Sequence, residues 1–246
     1  MDETIAAIAD VHGNTWALDA VLEDIRRRGI ERIVNLGDCV YGSLDPAGTA
    51  ERLMDARVVS IAGNQDRDVF APTDEVRRSV DHQFVTSRLR AAQVDWLRSL
   101  PPTCAVENIL LCHGTPQSDQ TYLLETVTAH GVFLSDTATI MAYLHDVPEE
   151  LVLCGHSHVP RVVWLPDGRL VVNPGSVGIP AYDEELPYPH VMEAGSPHAR
   201  YAVLTGQPHG WMVEQVAVPY AWGEAAAVAR QNGRDDRARW IETGRA

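Results

Sequence analysis

The spacing of apolar residues in the first part of the chain alternates between strand and helix patterns. Three short apolar runs predict buried strands. Between the first two, four apolar residues from Leu18 to Ile25 recur at helical spacing, and Gly29 follows the last turn. Between the second and third, Asp45 and Pro46 take the N-cap and first helical positions of another helix, DPAGTAERLMDA. The pattern predicts a β-α-β-α-β unit whose strands are TIAAIAD, RIVNLGD and RVVSIAGN.

The middle of the chain predicts surface helices and two further buried strands. Residues 68 to 100 are charged and helical in pattern, with Val94 and Leu97 facing inward before two consecutive prolines end the last helix. The apolar runs ILLCHG and LVLCGH predict strands, and they bracket a helix with apolar residues between 140 and 144. These elements continue the alternation of strands and helices.

From residue 161 onward, β-branched and aromatic runs separated by turn residues predict antiparallel strands. Residues 180 to 199 contain several prolines and no period, which predicts a long surface loop that walls a cleft. Residues 220 to 246 predict a tail of one or two exposed helices. The predicted strands are RVVWL, RLVVN, ARYAVLT and WMVEQVAV.

Length and composition narrow the class of protein. A chain of 246 residues, 45% hydrophobic and 22% charged, fits one globular domain over residues 1–246 that ends in the helical tail. It contains no run of roughly 18 apolar residues that would span a bilayer, and its acidic start lacks the basic residues of a signal peptide. The expected location is the cytoplasm, with no membrane partner.

Charge and cysteine usage exclude further classes. The net charge of -14 repels a phosphate backbone, so a nucleic-acid partner is not expected. An acidic balance also suits a metal site built from carboxylates. The four cysteines form no CxxC pair and lie mostly in apolar runs, which predicts buried free thiols rather than disulfides.

Polar motifs follow five of the predicted strands at the point where each strand ends. Strand ends of an open α/β sheet are where ligands bind, so these motifs are expected to converge. Asp10 and His12 are two residues apart, as are His156 and His158, so the members of each pair point the same way on an extended chain. The motifs are Asp10-Val11-His12-Gly13-Asn14, Gly37-Asp38, Gly63-Asn64, His113-Gly114 and Gly155-His156-Ser157-His158.

The candidate ligands in these motifs offer oxygen or imidazole nitrogen and no thiolate. This donor set suits Mn, Fe, Zn, Ni or Co better than a structural zinc site. Seven ligands exceed the usual needs of one ion. If Asp38 bridges, two ions can share them about 3.5–4 Å apart, the spacing of two-metal phosphoryl-transfer sites. The candidates are Asp10, His12, Asp38, Asn64, His113, His156 and His158.

The five motifs, in this order, resemble those of the calcineurin-like metallophosphoesterase superfamily. They match the strings DxHGN, GDxxxG, GN(x)D, His-Gly and GHxH, over residues 4 to about 218. In particular, the chain is similar to the small bacterial and archaeal phosphodiesterase branch, in which Asn173-Pro174-Gly175-Ser176-Val177-Gly178 also has a counterpart. The resemblance implies an α/β fold, a four-layer α-β-β-α sandwich of two mixed sheets with a dimetal site at the carboxyl ends of the strands.

The resemblance also implies roles for these residues. Asp10, His12 and His158 would hold the first metal, Asn64, His113 and His156 the second, and Asp38 would bridge them. The implied reaction is attack on a phosphorus ester by a hydroxide that bridges the two ions, near neutral pH. Two Mn²⁺ ions are favoured, and Fe, Zn, Co and Ni remain compatible.

The chain departs from the family pattern at Gln65. Many members have a histidine here that helps the leaving group depart, and an amide cannot act as a general acid. Poor hydrolysis of alkyl monoesters is therefore expected, although Gln65 can donate a hydrogen bond to a phosphoryl oxygen. Asp66 would orient neighbouring groups through the backbone, which makes Asp38, Asn64, Gln65 and Asp66 the candidate catalytic residues. His82 and His190 are candidate substitutes for the missing acid.

The leading function is a metal-dependent phosphodiesterase or phosphatase that acts on a small molecule, a nucleotide or a phosphoprotein. Serine/threonine protein phosphatase and dinucleoside tetraphosphate hydrolase are the alternatives within the resemblance. A metallonuclease fits poorly because the chain is acidic and short. A non-catalytic interaction module fits poorly because all seven ligand positions are filled. A homo-oligomer is compatible with the sequence.

Overall fold

The computed structural model describes residues 4–55 and 58–246, whose strands form two five-stranded sheets and two hairpins. The first sheet has the order β14-β13-β1-β2-β3 and the second β4-β5-β8-β10-β9, while β6-β7 and β11-β12 are the hairpins. The strands are β1 (Thr4–Ile8), β2 (Arg32–Asn35), β3 (Val59–Ser60), β4 (Thr103–Val106), β5 (Ile109–Cys112), β6 (Glu125–Thr128), β7 (Gly131–Leu134), β8 (Leu151–Leu153), β9 (Arg161–Trp164), β10 (Leu170–Asn173), β11 (Ala181–Glu184), β12 (His190–Glu193), β13 (Ala199–Gln207) and β14 (Gly210–Val218).

Each large sheet is mixed and contains three neighbouring parallel strands. Strands β1, β2 and β3 are parallel, and β13 and β14 extend that sheet in antiparallel fashion. Strands β5, β8 and β10 are parallel, with β4 and β9 antiparallel at the two edges. Each sheet therefore gathers the carboxyl ends of three strands at one edge.

Alternation along the strands explains how the sheets stack. In β1, Ile5 and Ala7 face a core that the two sheets share, whereas Ala6 and Ile8 face the helices outside the first sheet. In β5, Leu111 faces the shared core, and its neighbours in sequence face the helix outside the second sheet. Both faces of these strands are buried, which accounts for their continuous apolar runs.

Helices cover the outer face of each sheet and complete an α-β-β-α sandwich. In α1, Asn14 caps the start and Gly29 follows the end with φ of 71°. Asp45 Oδ1 accepts from Gly48 N at 2.9 Å at the start of α2. In the described part of the chain, no helix combines the length and apolarity needed to cross a membrane. The helices are α1 (Thr15–Arg27), α2 (Pro46–Asp55), α3 (Asn64–Phe70), α4 (Asp74–Arg78), α5 (Val80–Thr86), α6 (Ala91–Ser99), α7 (Thr137–Tyr143), α8 (Trp222–Gln231) and α9 (Asp235–Thr243).

The observed architecture confirms the predicted fold and corrects two details. Residues 180 to 199 are not a long loop, because the hairpin β11-β12 occupies most of them. The tail is helical as predicted, but it is not simply exposed, since the α8-α9 pair buries a small apolar cluster that includes Ala226 and Ile241. The predicted end of α2 at Ala56 and the predicted start of β3 at Arg57 lie outside the described residues.

Candidate metal centre

The polar motifs that follow the parallel strands come together in space. His113 Nε2 lies 3.5 Å from Asp38 Oδ2 and 4.0 Å from Asp10 Oδ1. His158 Nε2 lies 3.6 Å from Asp10 Oδ1, and His12 Nε2 lies 3.9 Å from Asp38 Oδ2. The fold therefore brings side chains from both sheets to one point, across more than 140 positions of sequence.

The donor atoms form two overlapping groups that could each hold a metal ion. One consists of Asp10, His12 and His158, and the other of Asp10, Asp38 and His113. Within each group the ligand atoms lie within 4.8 Å of one another, and every member is buried. Asp10 belongs to both groups.

Each of the four histidines among the candidate ligands has one ring nitrogen within hydrogen-bond distance of a backbone carbonyl oxygen. A carbonyl oxygen only accepts, so that ring nitrogen carries the hydrogen and the other presents a lone pair. In the neutral ring the lone pair is on Nε2 in His12, His113 and His158, and on Nδ1 in His156. The acceptors are Tyr41 for His12 at 2.9 Å, Leu36 for His113 at 2.7 Å, Ile179 for His158 at 2.6 Å and Gln120 for His156 at 3.1 Å.

One contact in the cluster brings two acceptors together, because His12 Nε2 and His158 Nε2 are 3.0 Å apart. Burial lowers the pKa of both rings, so each is neutral, and each has its one hydrogen on the nitrogen that bonds the carbonyl. These two Nε2 atoms therefore have no hydrogen to share, whereas His113 Nε2 can donate to Asn64 Oδ1 at 3.1 Å when that ring is protonated. A cation between His12 Nε2 and His158 Nε2 removes the repulsion, so the donor set fits a divalent metal.

Burial sets the protonation of the metal-free cluster. It raises the pKa of Asp10 to about 8, reinforced by the charge of Asp38 and partly offset by His113. Burial alone would lower the pKa of His113, but Asp38 and Asp10 raise it to about 10. For Asp38, burial would raise the pKa, yet His113 lowers it below the usual range. Asp10 and His113 therefore keep their protons near pH 7, and a metal ion would displace them.

Left-handed backbone conformations concentrate at the candidate ligands. Among the described residues, six that are not glycine have positive φ, and five of these six are candidate ligands; the exception is Glu107. Such conformations cost about 1–3 kcal/mol each and persist where surrounding structure enforces them. Here the loops after β1 and β2 are joined by backbone bonds, from Asp10 N to Gly37 O at 3.0 Å and from His12 N to Asp38 O at 2.9 Å. The other five residues are Asp10, His12, Asp38, His156 and His158, with φ from 50° to 69°.

The turn that starts α3 holds three of the four candidate catalytic residues, Asn64, Gln65 and Asp66. Gln65 N donates to Asp38 Oδ1 at 2.9 Å. Asp66 is buried and accepts from Cys39 N at 2.9 Å and from Gly63 N at 3.1 Å. A Cβ at Gly63 would overlap Asp38 Oδ1, so the close approach of the two loops requires glycine at this position.

A cavity of about 940 Å³ opens over the cluster. The residues that line its floor include His12, Asp38, Asn64, Gln65, His156 and His158. Its walls come from the β6 and β11-β12 region and from α9. The predicted wall at residues 180 to 199 is thus present, contributed by a hairpin. The sequence interpretation missed the wall residues Tyr122, Glu125, Tyr182, Arg237 and Trp240.

Two tyrosines of the wall contact the candidate ligands. The Tyr122 ring lies 4.7 Å from that of His156, and the Tyr182 ring 4.6 Å from that of His158. Their hydroxyl oxygens are 2.8 Å apart, and Tyr182 also donates to His156 O at 3.0 Å. His190 Nε2 lies 3.3 Å behind the Tyr122 hydroxyl.

The proposed substitutes for the missing acid do not reach the cavity surface. His190 and His82 are both buried, and neither is among the cavity-lining residues. His190 approaches the cavity only through Tyr122. His82 belongs to α5, where its backbone N–H is bonded to Ser79 Oγ at 3.1 Å.

The two stacked sheets and their buried His/Asp cluster define a metallophosphoesterase-type fold. A sequence model of the calcineurin-like phosphoesterase superfamily domain matches residues 4–192, and the chain belongs to this superfamily. The membership of this superfamily that the motifs predicted is thereby confirmed. The seven candidate ligands all lie inside the matched region, whereas α8 and α9 lie beyond it.

Comparisons with individual proteins agree with the fold. A metallophosphoesterase from Sphaerobacter thermophilus has 24% sequence identity and a TM-score of 0.75, with 98% of each chain covered. A hypothetical protein from Pyrococcus horikoshii has 19% identity and a TM-score of 0.74, with the same coverage. An uncharacterized protein of Methanocaldococcus jannaschii is 28% identical over 207 residues, covering 72% of this chain and 76% of that protein. The structural likenesses extend through the tail helices.

Proposed function

We propose that the protein is a phosphoester hydrolase that uses two divalent metal ions and favours phosphodiesters over alkyl monoesters. Asp10, His12 and His158 hold the first ion in this proposal, and Asp38 is shared between the two. The second ion is held by Asn64, His113 and His156. Mn²⁺ is the proposed metal, and the reducing cytoplasm, where free thiols such as those of Cys39 and Cys112 persist, is the proposed location.

One observation carries this proposal: His12 Nε2 and His158 Nε2, each with a lone pair, lie 3.0 Å apart. Both rings are fixed by carbonyl acceptors, so neither can turn a hydrogen toward the other without losing a bond. Two buried carboxylates beside them supply the negative charge that a divalent ion requires. A structural role for four histidines would leave this arrangement unexplained.

When bound, the two ions would supply the Lewis acidity that activates water and neutralises phosphoryl oxygens. The chain then has to position the phosphoryl group and keep competing water out of the cluster. Asn64 and Gln65 line the cavity floor, where their amide hydrogens can bond to phosphoryl oxygens. Since Gln65 cannot donate a proton to the leaving group, esters with good leaving groups are the proposed substrates.

The finer alternatives are separated by substrate rather than by fold. A serine/threonine protein phosphatase would require a phosphopeptide to enter the cavity, and a dinucleoside tetraphosphate hydrolase would require room for several phosphates. The cavity volume of about 940 Å³ favours a small molecule or nucleotide. The net charge of -14 disfavours a nuclease.

The test is hydrolysis of an aryl phosphodiester with Mn²⁺ and with EDTA. We expect activity only with the metal, and a loss of at least about 100-fold in kcat for Asp38→Asn, because the shared carboxylate is removed. Asp95→Asn is the matched control, since Asp95 is 70% exposed on α6 and is not among the residues that line the cavity. Full activity of Asp38→Asn in the presence of added metal contradicts the proposal. A panel with an aryl monoester, a phosphopeptide and a dinucleoside polyphosphate distinguishes the alternatives.

A further inference from the structure

The last helix, α9, brings a buried arginine to the wall of the metal cavity. Arg237 is 8% exposed and lines the cavity together with His12 and His158. Charged side chains are rarely this buried unless they are paired or bind a ligand. The matched superfamily region ends at residue 192, so nothing in the five motifs assigns a role to this residue.

The hydrogen bonds around Arg237 leave most of its donors free. Its Nη2 donates to Asp81 Oδ2 at 2.7 Å, and within the described residues no acceptor lies on Nε or Nη1. Arg234 differs, because Nε and Nη2 donate to Asp236 and Nη1 donates to Asp81. Arg234 is thus satisfied by its own carboxylates, whereas Arg237 is held at one end and keeps unpaired N–H groups.

A second unpaired donor lies on the same face of the helix. Trp240 is three residues beyond Arg237, which places the two side chains side by side on a helix. Trp240 is 5% exposed and lines the cavity, and its indole Nε1 is buried without a hydrogen-bond partner. An indole N–H and a guanidinium only donate, so the group that satisfies both is an acceptor.

We propose that Arg237 and Trp240 form an anion subsite that binds a second phosphate group of the substrate, separate from the phosphoryl group that is cleaved. This proposal rests on the proposed function for the cleavage step. The planar guanidinium matches phosphate oxygens in a fork geometry, and its weak hydration suits a buried position. Asp81 and Arg234 are positioning residues that hold Arg237 in place.

The subsite favours substrates that carry a second negatively charged group away from the two metal ions. Phosphoryl oxygens at the reacting phosphorus have two divalent ions to bind, so they do not need Arg237. Apart from the candidate metal ligands, four acidic residues also line the cavity, of which Glu125 is paired with Arg161 and Asp236 with Arg234. The other two, Asp183 and Glu184, disfavour an anion placed away from α9. A second phosphate is therefore accepted at α9 and disfavoured elsewhere, which gives specificity for bisphosphorylated or phosphoanhydride substrates.

The test compares two p-nitrophenyl phosphodiesters that differ only in the second arm, one ending in methyl and the other in phosphate. We expect the wild-type protein to prefer the phosphate-ended ester. Arg237→Gln should reduce that preference, taken as the ratio of kcat/KM values, by at least about tenfold, the size of one charge-assisted hydrogen bond. Trp240→Phe, which keeps a ring and removes only the N–H, should reduce it by about threefold or more.

Controls separate binding from structural effects. Arg239→Gln removes the same charge from an exposed position on the same helix and should keep the wild-type ratio. Arg237→Lys keeps the charge and the bond to Asp81 but loses the fork, and its ratio should fall between wild type and Arg237→Gln. If Arg237→Gln lowers both esters by the same factor, or leaves the ratio unchanged, the side chain only docks the helix or binds water, and the proposal is wrong.

A binding experiment distinguishes this proposal from the proposed function. Calorimetric titration of inorganic phosphate into the protein in EDTA measures the subsite without metals or turnover. We expect binding to wild type and to Arg239→Gln, and at least about tenfold weaker binding to Arg237→Gln. Absence of binding to the wild type overturns the subsite. Absence of metal-dependent hydrolysis of both esters, with phosphate binding retained, overturns the proposed function alone.

Discussion

His12 Nε2 and His158 Nε2 lie 3.0 Å apart, and each ring donates the hydrogen on its other nitrogen to a backbone carbonyl. The metal-free protein therefore holds two lone pairs against each other in a buried site. Backbone conformations with positive φ at both residues maintain the contact. The two lone pairs repel each other in the metal-free protein, and a bound cation would be attracted to both.

We expect metal binding to stabilise the fold. At a Mn²⁺ concentration of 100 times Kd, the free energy of unfolding should rise by about 2.7 kcal/mol. His158→Gln should lose most of the increase in Tm that Mn²⁺ produces, because one nitrogen ligand is gone. His130→Gln, at an exposed position, is the control and should keep the increase. Equal increases in His158→Gln and wild type, measured by thermal unfolding, would show that the metal binds elsewhere.

The pKa values of the cluster predict proton release on metal binding. Asp10, with a pKa of about 8, and His113, with a pKa of about 10, both carry protons at pH 7 in the metal-free protein. A metal ion takes only the deprotonated forms, so each of the two groups releases a proton. Calorimetry of Mn²⁺ binding in buffers with different ionisation enthalpies measures this number. A heat of binding that is the same in all buffers contradicts the prediction.

The same shifts predict how the stability of the metal-free protein depends on pH. The folded pKa values of Asp10 and His113 lie above the ordinary values of 3.8 and 6.5, so the folded state binds more protons than the unfolded state. That contribution is fully present below the ordinary values and is lost as pH rises through about 8 and about 10. Burial lowers the pKa of His156 to about 4, which acts in the opposite sense only below about 6.5.

The free energy of unfolding of the metal-free protein should therefore fall between pH 6.5 and pH 9. Denaturant titrations in EDTA at several pH values measure it. Asp10→Asn should flatten the fall between pH 6.5 and 8, because the substituted amide does not titrate. A stability that rises with pH over this range would mean that the cluster does not hold these protons.

Gly63 provides a structural test of the approach between the loops after β2 and β3. In Gly63→Ala the added Cβ meets Asp38 Oδ1 and the Asp38 backbone, so the carboxylate has to move. We expect at least about tenfold weaker Mn²⁺ binding, a loss typical of disturbed ligand geometry. Gly223→Ala is the control, because nothing lies within 4 Å of a Cβ at that position. Equal Mn²⁺ affinity in the two variants would contradict the assignment of Asp38 as a metal ligand.

The floor of the cavity was predictable from the sequence because its residues follow strands directly. A buried apolar run that ends in Asp10 or His113 marks both the strand and the polar edge, and parallel strands place those edges together. The Asp10 and His12 pair was predicted from strand alternation, but both residues adopt positive φ. Turn geometry, and not an extended chain, aims their side chains. The two side chains do lie close together, but the cause is the turn conformation, which the period of the apolar residues does not reveal.

The walls were not predictable in the same way. Tyr182 lies in a hairpin whose sequence, with its prolines and acidic residues, has no strand period. Arg237 and Trp240 lie in DDRARWIET, a polar segment that reads as a solvated helix. Arg237 is bonded to Asp81 in α5, 156 positions earlier, and Trp240 packs with Ile179 and Ala181. Local pattern carries no information about such contacts.

Replacement of Gln65 tests what limits the choice of substrate. Gln65 lines the cavity, and its backbone N–H is fixed on Asp38 Oδ1, so a side chain at this position stays close to the cluster. Gln65→His introduces a group that can donate a proton to a departing alkoxide, an effect typically worth about 100-fold or more. We expect kcat for an alkyl monoester to rise while kcat for an aryl diester, whose leaving group needs no proton, changes little. Gln65→Asn should show no such rise, since it retains an amide. If both variants behave alike on the monoester, the leaving group is protonated from another part of the cavity, and the departure at residue 65 does not set the preference for diesters.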